Sequence, residues 1–202
     1  MPRIVLASAS SYRSLLLTRL GLPFEAIAAD VDESRLDGES VETMVARLSV
    51  LKARAVATAR PDALIIASDQ AGVESDRVLG KPGSIDAAIA QLRSVSGREV
   101  RFLTGLCVLD PSSGKHQVAV ETCSVRFRNL SEVAIRDYVE RERPLDCAGS
   151  FKVEGLGIAL FEHMRLDDPT ALEGLPLIRL TSFLRQMGVE VLGAGNPYQQ
   201  FA

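Results

Sequence analysis

Two rhythms of hydrophobic and polar positions organise this chain. Short strand-like runs, Arg3-Ile4-Val5-Leu6-Ala7, apolar from Ile4 onward, and the wholly apolar Ala63-Leu64-Ile65-Ile66-Ala67, read as buried strands. Each runs into a polar segment, Ser8-Ala9-Ser10-Ser11 and Ser68-Asp69-Gln70 respectively. Between them the spacing turns helical. Residues 11–20 predict a helix closed by Gly21, with Pro23 just beyond, and 24–29 predict a strand leading into the acidic turn Asp30-Val31-Asp32-Glu33. Ser40 caps a long helix whose apolar face is Val41, Met44, Val45, Leu48, Ala55 and Val56, interrupted by Lys52 four residues after Leu48.

The pattern continues past the second strand with a short segment ending in Gly80-Lys81-Pro82. Ser84 opens a helix through Ile85, Ala88, Ile89 and Leu92 that stops near Gly97. Residues 100–128 read as two strands around a turn at Asp110-Pro111-Ser112-Ser113-Gly114. A helix starts at Ser131, with Leu130 and Ile135 spaced as a hydrophobic staple. Cys147-Ala148-Gly149-Ser150-Phe151-Lys152-Val153-Glu154-Gly155 reads as a loop dense in polar groups, and a last helix runs from about Pro176 to Met187, ended by Gly188. Strands alternating with helices indicate an α/β fold. No repeat or linker divides it, so one domain over 1–202 is expected, with a poorly ordered tail over 193–202.

Composition narrows the function classes. A chain of 202 residues, 47% hydrophobic, can bury one sizeable core or two small lobes sharing a cleft. Net charge is −3 and no basic run is present, which argues against backbone binding of nucleic acid or anionic membrane. No apolar run reaches the length of a membrane span, and no secretory leader is expected. Cys107, Cys123 and Cys147 are odd in number and far apart, which suits reduced thiols in the cytoplasm.

Familiar catalytic signatures are missing. There is no GxxxxGK[ST] loop, GxGxxG fingerprint or HExxH site, and His116 and His163 alone give little support for a Ser-His-Asp arrangement. What remains is a set of charges on separate turns. Asp69 ends an apolar strand, where an unpaired carboxylate is either capped locally or chemically active. Arg13 lies in the first helical turn behind a Ser-rich loop, where helix N–H groups favour a phosphate, although a solvated arginine beside an ordinary cap reads equally well. Lys52 either snorkels to water or turns its ammonium to a ligand. Lys81 sits in a tight turn that could aim it at a cleft or leave it at the surface. Asp32, Glu33 and Asp69 together could share a divalent cation, an acidic surface turn being the plainer account of 32 and 33. Three cations and two acidic turns would suit a phosphorylated substrate and a metal ion.

Taken jointly, Leu6-Ala7-Ser8-Ala9-Ser10, Val31-Asp32-Glu33, Lys52-Ala53, Ser68-Asp69-Gln70, Gly80-Lys81-Pro82 and Gly174-Leu175-Pro176-Leu177-Ile178 resemble, in order and spacing, the Maf family of nucleoside triphosphate pyrophosphatases. The segment 147–155 and Ser-Asp-Gln at 68–70 further resemble the branch acting on 7-methyl-GTP. Ser11 and Tyr12 depart from it, standing where the family often has proline and that branch often has tryptophan.

The resemblance implies a Maf/ITPase-like mixed α/β fold, with an elongated central sheet, flanking helices and two lobes around a cleft. It implies a hydrolase of phosphoric anhydrides that converts 7-methyl-GTP to 7-methyl-GMP and pyrophosphate, assisted by Mg or Mn. Asp69 matches the proton acceptor, with Arg13, Glu33, Lys52 and Lys81 in the catalytic set. Ser8, Tyr12, Gln70 and Glu154 match substrate-binding and specificity positions, and Glu33 and Asp69 are the expected metal ligands. A nucleotide is the expected partner, without nucleic acid or membrane, and a homodimer is compatible with the family. The alternatives are a dTTP/UTP pyrophosphatase of the same family, which Gln70 and Glu154 argue against, and a non-catalytic nucleotide sensor linked to cell division.

Overall fold

The computed structural model describes residues 2–75 and 77–193. The expected disorder of the tail therefore concerns residues that, from 194 onward, lie outside the described ones. The elements run β1 (Arg3–Leu6), α1 (Ser11–Thr18), β2 (Glu25–Ala26), α2 (Val41–Ala57), β3 (Ala63–Glu74), β4 (Arg77–Leu79), α3 (Ile85–Val95), β5 (Glu99–Leu109), β6 (His116–Phe127), α4 (Glu132–Glu142), β7 (Phe161–Arg165), α5 (Pro169–Leu172) and α6 (Leu177–Gln186). Two 3-10 turns, Ala148–Ser150 and Leu156–Leu160, fall between α4 and β7. The seven strands form a mixed sheet in the order β2-β1-β3-β5-β6-β7, with β4 paired to β3. β1 runs parallel to β2 and β3, whereas β3–β4 and β6–β7 are antiparallel. No helix among the described residues is long and apolar enough to cross a membrane.

The chain divides into two compact units, one comprising Met1–Asp69, Thr104–Glu121 and Asp168–Ala202, the other Gln70–Leu103 and Thr122–Asp167. In the first, the period of two along a strand sorts the core. Ile4, Leu6, Leu64 and Ile66 pack with Leu16 and Leu17 of α1 and Leu177, Leu180, Phe183 and Leu184 of α6. Their neighbours Val5, Ala7, Ala63, Ile65 and Ala67 pack instead with Ala53 and Val56 of α2. The buried stripe of α2 thus includes Ala53, whereas Ala55 is exposed, because the helix meets a sheet face rather than a narrow seam.

The second unit has an aromatic core. The Phe151 ring lies edge-on to Phe102, Phe127 and Phe161, with centroids 5.0, 6.0 and 4.9 Å away. Edge-to-face contacts of this kind add to what area burial alone supplies. α3 buries Ala88, Ile89, Leu92 and Val95, and α4 buries Ile135, Tyr138 and Val139.

Two expectations need correction. The strand over 24–29 is only Glu25–Ala26, because after the Ile27 N–H bonds to Leu6 O at 2.9 Å the chain leaves the sheet. The second concerns Asp69: β3 does not end near residue 67 but pairs onward to Glu74, so Asp69 is inside a strand. β7 and α5 are additional elements, too short to give a periodic signal.

Candidate active site

Alternation along β3 decides where the polar residues of its middle point. Residues 63, 65 and 67 face α2, so Asp69 continues that row, while Ser68 joins the row facing α1 and α6. Parallel β1 stops at Leu6, and the Ala7 N–H makes one further bond to Ile66 O at 2.8 Å. Ser68 and Asp69 therefore lie just past the carboxyl end of β1, where open α/β sheets place their ligands. The sequence reading expects a bare, surfacing carboxylate at 69. Asp69 is instead buried, with 7% of its surface exposed.

Burial is tolerated because Lys52 reaches it. The α2 stripe carries Lys52 onto the same sheet face, where its Nζ donates to Asp69 Oδ1 at 2.6 Å and lies 2.7 Å from Glu33 Oε1. The lysine does not snorkel to water; it is itself 7% exposed and sits between two carboxylates. Glu33 comes from the solvent side, its side chain 58% exposed.

The loop carrying Glu33 is fastened by a second acid–base pair. Arg47, also on α2, donates from Nε to Glu39 Oε1 at 2.6 Å and from Nη2 to Glu39 Oε2 at 2.8 Å and Ser34 O at 3.0 Å. Glu39 additionally accepts from the Leu36 N–H at 3.1 Å. These bonds, above all those from Arg47, hold the Glu39 carboxyl down to about 2. Asp32 is not aimed at the same corner. Its Oδ1 accepts from the Ser34 N–H at 2.9 Å, closing its own turn, and the Ser34 hydroxyl, with this N–H after it, lowers its pKa.

Arg13 enters from α1. Ser10 caps this helix by accepting the Arg13 N–H at 3.4 Å, so the residue offers its guanidinium rather than its backbone. The Arg13 Nε donates to Gly174 O at 2.9 Å, and Ser68 Oγ donates to the same carbonyl at 2.8 Å. Desolvation holds the guanidinium below its ordinary value, while Asp69 and then Glu33 pull the other way. Ser8, buried at the end of β1, accepts from the Ser10 N–H at 3.1 Å and so shapes the turn into α1.

Gly174 was legible only as part of a motif, yet its carbonyl orients two site residues. Its φ of 108° excludes most side chains, and a Cβ there would lie 3.4 Å from Arg13 Nε. Asp168 anchors the same segment, accepting from the Thr170 N–H at 2.9 Å, Thr170 Oγ1 at 2.6 Å and the Ile178 N–H at 2.8 Å. No signal in the sequence marked Ser68, Glu39, Arg47 or Asp168 individually.

Ser8, Arg13, Glu33, Lys52 and Asp69 thus meet in the first unit, with Tyr12 half-buried on α1 beside them in sequence. Gln70, Lys81 and Glu154 belong to the second unit. There Gln70 is half-buried within β3, Lys81 is exposed in the turn after β4, and Glu154 is exposed in the loop before β7.

Among the described residues no group of three or more His, Cys, Asp or Glu side chains could hold a metal ion. The shared three-carboxylate site over 32, 33 and 69 is therefore not formed. Glu33 and Asp69, both on one ammonium, remain as a two-carboxylate set. That set fits Mg, which keeps waters and takes one or two carboxylates plus substrate phosphates, rather than an all-protein cage.

A doubly covered α/β sheet with two acids and two cations converging past a strand end is the chemistry of a phosphate-handling protein. The chain belongs to the Maf family: residues 3–187 match Maf-like protein. It is 52% identical over 191 residues to a 7-methyl-GTP pyrophosphatase of Nitrosococcus oceani, covering 95% of this chain and 96% of that one. It is 54% identical to a 7-methyl-GTP pyrophosphatase of Pseudomonas aeruginosa, covering 95% of this chain and all (100%) of the relative. Among solved structures, the Ham1 protein of Staphylococcus aureus has a TM-score of 0.53 at 19% identity, covering 92% of this chain and 99% of that one, a likeness of fold.

Proposed function

We propose that this protein hydrolyses 7-methyl-GTP to 7-methyl-GMP and pyrophosphate, removing the modified nucleotide from the pool. The observation that carries the reading is the Glu33–Lys52–Asp69 corner, intact in a chain about half identical to proteins of that activity. An ammonium held between two carboxylates is the group an incoming triphosphate would compete for. Phosphate drawing Lys52 towards itself frees Asp69 to orient and deprotonate the attacking water at the α-phosphorus. Arg13, already aimed by Gly174 O, and Lys81 neutralise charge growing on the leaving pyrophosphate. Glu33 and Asp69 would hold a divalent cation, Mg or Mn, which when bound polarises the phosphate.

For the base, Tyr12 supplies a ring to stack on the cationic 7-methylguanine. Glu154 supplies a carboxylate for the guanine N1–H and amino group, and Gln70 a further amide. We place the protein in the cytoplasm, where the odd and widely spaced Cys107, Cys123 and Cys147 suit reduced thiols. The test is product analysis. Incubation with 7-methyl-GTP and Mg²⁺ should yield 7-methyl-GMP and pyrophosphate in equal amounts, and release of inorganic phosphate alone would exclude the reaction.

A further inference from the structure

Within the second unit, two motif-bearing loops share one side chain. Gln91, on α3, donates from Nε2 to Gly80 O at 3.3 Å, in the turn that presents Lys81. Its Oε1 accepts from Ser150 Oγ, in the segment that leads to Glu154. The amide orientation is fixed by chemistry, since a carbonyl can only accept and must face the Nε2 end. A backbone bond runs alongside, the Gly83 N–H to Leu145 O at 2.9 Å.

The second of these loops needs such a tie. Ser150 is fully buried and holds a φ of 59°, a left-handed backbone that costs a non-glycine residue free energy unless its surroundings hold it. Gly149 before it has a φ of 77°, and a Cβ there would lie 2.8 Å from the Phe102 ring. The chain is thus wedged over the aromatic core in a strained turn, and the Ser150 hydroxyl is the polar group that fixes its exit. Further along, Tyr138 Oη accepts from the Lys152 N–H at 2.9 Å and Glu142 Oε1 from the Leu156 N–H at 2.9 Å, so the loop is fastened on both sides of Glu154.

We propose that Gln91 is a positioning residue for the reaction, setting the Lys81 turn with one end of its amide and the base-selecting loop with the other. The inference rests on the proposed 7-methyl-GTP hydrolysis. Its two arms predict separable defects. The Gly80 arm governs turnover of every substrate, because Lys81 acts on the leaving group. The Ser150 arm governs discrimination, because Glu154 acts on the base.

Three variants separate them, assayed for kcat and KM on 7-methyl-GTP and UTP. Each lost bond is expected to cost about fivefold in the parameter it supports. Ser150→Ala should lower the preference for 7-methyl-GTP about fivefold, through KM, and leave UTP turnover unchanged. Gln91→Glu keeps an acceptor for Ser150 but sets a carboxylate against the Gly80 carbonyl. It should retain the preference and lower kcat on both substrates. Gln91→Ala should show both defects, and its amides at 80–83 and 147–155 should exchange with deuterium faster while those of α4 do not change. A Gln91→Ala protein with wild-type kinetics on both substrates, or with unaltered exchange in either segment, overturns the inference. If wild type itself does not turn over 7-methyl-GTP, the functional reading fails instead, and only the exchange data bear on the bridge.

Discussion

Replacing Lys52 by methionine keeps the apolar stem and removes the ammonium, and the surrounding geometry sets the cost. The Nζ is 2.6 Å from a buried Asp69 oxygen and 2.7 Å from an exposed Glu33 oxygen. The Glu33 bond, half in water, contributes little. The Asp69 bond is different, since removing one partner of a buried pair leaves an uncompensated charge and costs about 3–5 kcal/mol. In a chain of this size that lowers the midpoint of thermal unfolding by about 10 °C. The charge-free double variant Lys52→Met/Asp69→Asn no longer buries a lone carboxylate, so it should be more stable than the sum of the single changes implies. The expected coupling is about 1–3 kcal/mol. Urea unfolding of the four proteins measures it, with pyrophosphate release assayed in parallel. Additive losses, or a Lys52→Met protein as stable and active as wild type, would show that the ammonium does no more than cover the core.

The same geometry predicts four other outcomes. Asp69→Asn retains an acceptor for Lys52 but loses the base, and should lower kcat about 10²–10⁴-fold while the protein stays folded, as checked by circular dichroism. Tyr12→Ala should reduce kcat/KM for 7-methyl-GTP far more than for UTP, a cation–π contact contributing about 0.5–2 kcal/mol. Gly174→Ala forces a side chain into a backbone conformation costing about 1–3 kcal/mol and displaces the Arg13 anchor, so stability and turnover should fall together. Glu39 is held at about 2, below its unfolded value, so its contribution is complete above roughly pH 5 and disappears as pH falls towards 2. Melting temperatures between pH 6 and 2 should drop less steeply in Glu39→Gln than in wild type. Parallel curves would mean that Arg47 does not hold this carboxyl.

Much of this was legible in the sequence, for identifiable reasons. Unbroken apolar runs located β1 and the first half of β3, and Ser caps located α1, α2, α3 and α4. The continuation of β3 was hidden because an apolar pattern stops at the first polar residue. Ser68 and Asp69 stay in the sheet by finding partners at Gly174 and Lys52, distant in the chain. Lys52 shows the same limit. Its break in an apolar stripe was visible, whereas the choice between water and a carboxylate depended on which sheet face α2 covers. The Arg47–Glu39 clamp was invisible because, as a sequence, it is two ordinary surface charges eight residues apart. Asp32 went the other way: paired with Glu33 in the chain, it turns out to close its own turn.

At the centre stands hydrolysis of 7-methyl-GTP at the Asp69 corner. Its most direct test is kcat/KM of the wild-type protein, with Mg²⁺, on 7-methyl-GTP, GTP, dTTP and UTP side by side, with Asp69→Asn as the control. Pyrophosphate release should be fastest from 7-methyl-GTP, and lower by about 10²–10⁴-fold for all four substrates in the variant. Preference for dTTP or UTP would contradict the assigned base while leaving a pyrophosphatase. Turnover undiminished in Asp69→Asn would contradict the site itself.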